Sequence, residues 1–134
     1  LFRTRRKYRS FTEATANDQR ALLEAAVFTL LVEGNRLGES SAFRRLSGHV
    51  SWKVDVDHEI QRIQQEIEGT FGNWQSNVDR VFAYIDRIAE RLSSKRLGPL
   101  ILEICRDLRG QQSILSRALK SAYLTRLEQK LGIA

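Results

Sequence analysis

The sequence predicts an all-α fold, a compact single-domain bundle of about six helices with two central apolar helices and a weak internal duplication. Three observations predict it. Apolar residues recur at spacings of three and four, strict alternation over strand lengths is nearly absent, and glycines stand singly between the periodic stretches, where helices end. With 134 residues, 42% of them hydrophobic, the chain is long enough for one domain with a real core.

The first helix is expected to start near Asn17, a good N-cap, and to run to about Val32, with Gly34 as its stop. Leu22, Leu23, Ala25, Ala26, Val27, Phe28, Leu30 and Leu31 make it apolar almost all round, the mark of a buried central helix, and Glu24 and Thr29 interrupt the run. A short second helix over Ser40–Ser47 presents Phe43 and Leu46. A third, opening at Asp55 or Asp57, carries the narrow stripe Val56, Ile60, Ile63 and Ile67. The fourth follows Asn73 and shows Trp74, Val78, Val81, Phe82, Ile85, Ile88 and Leu92 at a 3.6-residue period. Pro99 suits the first turn of a fifth helix, Leu100 to Leu108, closed by Gly110. The last carries Ile114, Leu115, Ala118, Leu119, Ala122, Leu124, Leu127 and Leu131 and stops at Gly132.

The first and last thirds share one plan: an apolar helix, a glycine, a short loop and an amphipathic helix. A shift of 76 residues lays Gly34 on Gly110, Phe28 on Ile104, Phe43 on Leu119 and Leu46 on Ala122, which reads as the weak duplication. The two apolar helices would then pack centrally with the others wrapped around them.

Charge divides the chain differently. Arg3, Arg5, Arg6, Lys7 and Arg9 fall within the first ten residues with no acid before Glu13, and the remainder carries 17 basic against 16 acidic residues. Residues 1–14 therefore read as a basic N-terminal arm or linker and 15–134 as the helical domain. Such an arm suits phosphate groups of anionic lipid or nucleic acid, and its removal is expected to leave the melting temperature nearly unchanged. The longest near-continuous apolar run, Leu22 to Val32, has roughly half the ~20 residues of a membrane-spanning helix. The chain has no methionine and begins at Leu1, so a fragment or processed form is expected. The location expected is cytoplasmic, with membrane association through a segment upstream as one option.

Catalytic chemistry finds little to use. A nucleophile needs a base beside it and a third group to orient that base. The two histidines, His49 and His58, stand in a helix-exit segment and in Asp55-Val56-Asp57-His58-Glu59. Imidazole and carboxylates could ligate a metal there, but acids in a first turn more simply cap amide groups and face the positive helix end. No phosphate-cradling glycine loop or His-Glu-x-x-His helix is present, and the expectation is a non-enzymatic domain without a cofactor. Cys105, within Leu100–Cys105, reads as a buried thiol. Trp52 and Trp74 read as pins between helix and core. Arg44-Arg45 and Lys95-Arg96 are solvated helix ends unless they converge in space.

The repeated helix–glycine–loop–helix plan resembles the tellurite-resistance TerB-like family. In that family each half shows an apolar helix ending in Asp-Gly and a glutamate about five residues on. Here the first copy reads Leu31-Val32-Glu33-Gly34-Asn35-Arg36-Leu37-Gly38-Glu39, with Glu33 in place of the aspartate; the second reads Leu108-Arg109-Gly110 followed by Leu115, with both acids lost. Leu127-Glu128-Gln129-Lys130-Leu131-Gly132-Ile133 is similar to the family's closing helix. The likeness spans about residues 15–133. It implies a helical bundle tied to tellurite and other stress responses and to membrane-associated partners. It also implies a divalent-metal site between the repeats, for which Glu33 and Glu39 are the ligands that remain. Arg109 in the second copy would oppose a cation there.

The function expected is thus a helical adaptor or interaction domain with a protein partner. Arg3, Arg5, Arg6, Lys7 and Arg9 would meet either an anionic membrane surface or, as the alternative, nucleic acid read through its phosphates.

Overall fold

The centre of the molecule is a helix that is buried on every side. In the computed structural model, which describes residues 2–32, 40–71, 78–108 and 117–132, this helix is α2 (Ala16–Val32), and every residue from Ala21 to Leu30 is buried. Its N-cap is Thr15, whose hydroxyl accepts the Asp18 N–H at 3.1 Å. Asn17, expected as the cap, lies inside the first turn and donates to the Arg91 carbonyl at 3.0 Å.

Around α2 pack α4 (Val56–Phe71), α5 (Val78–Arg91) and α6 (Gly98–Leu108), while α7 (Arg117–Leu131) covers α5 and α6. Two further helices, α1 (Phe2–Thr12) and α3 (Ser41–His49), pack against each other, and α3 also touches α6. No strand occurs among the described residues, so the all-α bundle holds. No helix among them is long and apolar enough to cross a membrane.

Local chemistry explains the starts. The Ser40 hydroxyl accepts the Phe43 N–H at 3.1 Å and opens α3, while Asp55 Oδ1 accepts the His58 N–H at 3.2 Å and opens α4. Pro99 sits in the first turn of α6, after a 3-10 turn at Lys95–Leu97. Gly98 is required by space: a Cβ there would collide with the Leu131 carbonyl of α7, so the two helix ends meet backbone to backbone.

The core joins Phe43, Leu46, Ile63, Ile67, Val81, Ile85, Ile88, Ile101, Ile104, Cys105, Leu127 and Leu131 to the α2 residues. An aromatic cluster sits within it. Phe28 stacks on Tyr84 at 5.3 Å between centroids and meets Tyr123 edge-on at 6.1 Å. Trp52 is half-buried, its indole N–H held by the Ser47 carbonyl at 3.0 Å.

Three expectations need correction or restriction. α6 buries one face only: Glu103, Arg106 and Asp107 are exposed, so it is not enclosed all round as α2 is. Of the residues paired by the 76-residue shift, Phe28 and Ile104 are both buried, whereas Gly34 and Gly110 lie outside the described residues. Within the expected arm of residues 1–14, the described residues 2–14 are not loose. Phe2–Thr12 is helical, and Tyr8, Phe11 and Ala14 belong to the main core. The reason is visible in the spacing of Lys7, Tyr8 and Phe11, which fall on one helical face and are buried together, while Arg9 is exposed.

Candidate functional site

The basic residues expected to form a site are distributed by the docking of α1. Lys7 is buried, and its ammonium is 2.6 Å from Asp107 Oδ2 on α6. It is therefore committed to holding α1 in place. Arg9 is highly exposed and stands 3.9 Å from Glu13, one turn on. Arg3, Arg5 and Arg6 lie in the described backbone of α1. The Tyr8 ring packs on His49 at the end of α3, with centroids 5.3 Å apart. The hydroxyl of Tyr8 is pushed above its ordinary pKa by burial, with smaller influences from Lys7, Asp107 and Arg45. Arg45 is thus electrostatically close to α1, and Arg44 and Arg45 are both exposed on α3. His49 Nδ1 lies 2.8 Å from the Arg45 carbonyl, which can only accept, so the ring proton sits on Nδ1.

The metal expectation at Glu33 and Glu39 falls outside the described residues. Among the described residues no three His, Cys, Asp or Glu side chains converge as metal ligands. In Asp55–Glu59 the acids divide their work: Asp55 caps α4, and Glu59 is buried against arginines.

Those arginines belong to a polar assembly that joins α2, α4 and α5. Its centre is Glu24, fully buried in the middle of α2. Three guanidinium groups reach its carboxylate: Arg91 Nε at 2.9 Å, Arg87 Nη2 at 3.4 Å and Arg62 Nη2 at 3.8 Å. Oε1 has Arg91 beside it but no aligned hydrogen bond. Arg62 also binds Glu59 at 2.8 Å and Glu66 at 2.9 Å on its own helix, and Arg87 pairs with Glu66. Arg20, one turn before Glu24, donates to Glu59 at 3.1 Å.

Burial works against the Glu59 carboxylate, but hydrogen bonds from Arg62 and Arg20 outweigh it and hold its pKa below the ordinary value. Burial, reinforced by the Glu24 charge, raises the Tyr84 phenol far above its ordinary value. The Arg87 guanidinium lies over the Tyr84 ring, 4.8 Å from its centroid. Partners in this assembly that join different helices are far apart in the chain, 39 residues for Arg20–Glu59 and 63 for Arg87–Glu24. Sequence offered one signal, the charge of Glu24 inside an apolar run; nothing local names its partners.

A cleft of about 620 Å³ opens between the end of α1 and the α5–α6 connection, lined by Thr15, Asp18, Ser93, Ser94, Arg96 and Leu97 among others. The buried Asp18 carboxylate in its wall accepts from Ser93 N at 2.6 Å, from Ser93 Oγ at 2.8 and 2.9 Å, and from Ser94 N at 3.3 Å. It is satisfied by the protein itself and ties α2 to that connection.

Comparison with known protein families, curated proteins and solved structures finds no match to this chain.

Proposed function

We propose that this chain is a non-enzymatic helical interaction domain that adheres to an anionic membrane surface through the face shared by α1 and α3, in the manner of an adaptor. The observation that supports the reading is the packing of α1 on α3, through the Tyr8–His49 contact, with Arg44 and Arg45 exposed on α3 and the Arg45 charge acting on Tyr8. Lys7 is taken by Asp107 and Arg9 faces Glu13, so the two α3 arginines restore cationic charge to that side. Each basic side chain near an anionic bilayer contributes ~1 kcal/mol. Because Tyr8 and Phe11 are already in the core, attachment is by charge and needs no insertion of α1 into lipid. Membership of the TerB-like family would add stress-response and membrane-associated partners to the same adaptor reading.

The experiment is co-sedimentation with phosphatidylserine-containing vesicles against phosphatidylcholine vesicles at several salt concentrations. Arg44→Gln with Arg45→Gln should weaken binding about thirtyfold, the equivalent of two lost charges. Equal binding to both vesicle types, or no effect of the double substitution, refutes the reading. A nucleic acid bound ~10³-fold better than random sequence would assign the face to nucleic-acid recognition instead.

A further inference from the structure

The carboxylates and guanidinium groups around Glu24 are arranged in depth. Glu24, Glu59 and Glu66 side chains are 0%, 8% and 24% exposed, whereas those of Arg91, Arg62, Arg20 and Arg87 are 26%, 31%, 38% and 44% exposed. The acids form the floor and the arginines the solvent side. The most exposed side chains of the assembly are those of Arg20 and Arg87, while Arg62 Nη2 is itself buried.

We propose that Arg20, Arg87 and Arg91, with Arg62 fixed among them by the carboxylates, form a binding site for a phosphate-type oxyanion, either free or as the phosphate group of a larger ligand. Four cationic groups stand over three carboxylates, so the assembly keeps a surplus positive charge. Each guanidinium has five N–H donors. Contacts within the assembly engage all three nitrogens of Arg62, Nε of Arg20 and Arg91, and Nη2 of Arg87, so the donors over for a ligand belong to Arg20, Arg87 and Arg91. Arginine's planar fork matches the oxygen spacing of phosphate, and donation to an anion makes the stronger class of hydrogen bond.

Preorganisation is the second element of the case. The buried carboxylates hold Arg62 from three sides and Arg87 from two, and the Tyr84 ring backs the Arg87 plane. Side chains already fixed lose little further rotamer freedom when a ligand arrives, which removes a cost that loose surface arginines bear. This site is independent of the α1–α3 face and survives if that reading fails.

The test titrates inorganic pyrophosphate, then orthophosphate, into the full chain at low salt, with calorimetry and melting temperature as readouts. Saturable binding and a raised melting temperature are expected. Arg20→Gln and Arg87→Gln, at the two most exposed arginines, should each weaken pyrophosphate by about tenfold to a hundredfold, the effect of one charge-assisted hydrogen bond. The Arg44→Gln/Arg45→Gln protein should bind pyrophosphate unchanged, which separates this site from the membrane face. Should either single variant unfold, the arginine side-chain N–H resonances of the unaltered chain serve instead: those of Arg20, Arg87 and Arg91 should shift on titration. No saturable binding, undiminished binding in both folded single variants, or side-chain resonances that stay in place would overturn the proposal.

Discussion

Replacing Glu24 by glutamine keeps the shape of the side chain and removes only its charge. The cost follows from what surrounds it. Glu24 is fully buried, and three guanidinium groups lie within 3.8 Å of its carboxylate. Without the charge they repel one another across a neutral amide, and breaking a buried ion pair of this kind costs about 3–5 kcal/mol. The arginines retain partial exposure and can recover hydration, which places the expected loss near 3 kcal/mol, the lower end of that range. For a chain of this length that lowers the melting temperature by about 9–15 °C, between the sensitivities of smaller and larger domains. Thermal and urea unfolding measure it, with the urea slope unchanged if the native state keeps its compactness. A second measurement tests the cause. Glu24→Gln combined with Arg91→Gln should cost less than the sum of the single changes, by about 0.5–3 kcal/mol. A loss under 1 kcal/mol for Glu24→Gln, or strict additivity of the pair, would show that Glu24 does not organise the cluster.

Phe11→Ala should cost about 3–5 kcal/mol by opening a cavity where a fully buried ring stood, whereas a dangling arm would give no loss in the same unfolding assay. Thr29 is buried in α2 and its hydroxyl has no hydrogen-bond partner, so the near-isosteric Thr29→Val should stabilise the chain by about 1 kcal/mol; a destabilised variant would reveal a bond that the hydroxyl makes. Glu59 and Asp86 both have depressed pKa values in the folded chain, Asp86 because Arg126 donates to it at 3.0 and 2.6 Å. Their stabilisation is complete above the ordinary carboxylate range and disappears as pH falls through the depressed folded values. Acid titration of unfolding should therefore show stability falling with pH in that window, less steeply in Glu59→Gln; equal slopes would remove Glu59 from the account.

Regular structure was legible wherever a stripe and a cap coincided. Ser40 before Phe43 and Leu46, Asp55 before Val56, and Pro99 ahead of the Leu100–Leu108 body each marked a helix that forms. α1 was not legible in the same way. Its two ring anchors, Tyr8 and Phe11, are spread thinly among arginines, and its third hold, Lys7 to Asp107, spans 100 residues. Tyr123 escaped for a related reason: its neighbours Ala122 and Leu124 gave a plausible stripe without it, and only the ring contact with Phe28 shows its place. The candidate sites divide likewise. The basic residues of α1 and the charge of Glu24 are readable as residues, but which of them meet depends on how α1, α4 and α5 settle on α2.

A helix whose every side is greasy has no preferred way round. Rotated by a third of a turn or slid by one, α2 would still bury its leucines and alanines against something apolar, and packing alone discriminates poorly among such arrangements. Its polar residues break that degeneracy. Gln19 donates to the carbonyls of Phe11 and Ser51 at 2.8 and 3.1 Å and accepts the Lys53 N–H at 2.8 Å. Asp18 holds Ser93 and Ser94, and Glu24 faces Arg62, Arg87 and Arg91. Each of the three addresses different segments of chain, and a single rotation and height of the helix satisfies all of them together. The central rod is thus indexed like a key with three cuts, so that a sequence change at one cut alters which packing is unique before it alters how much surface is buried.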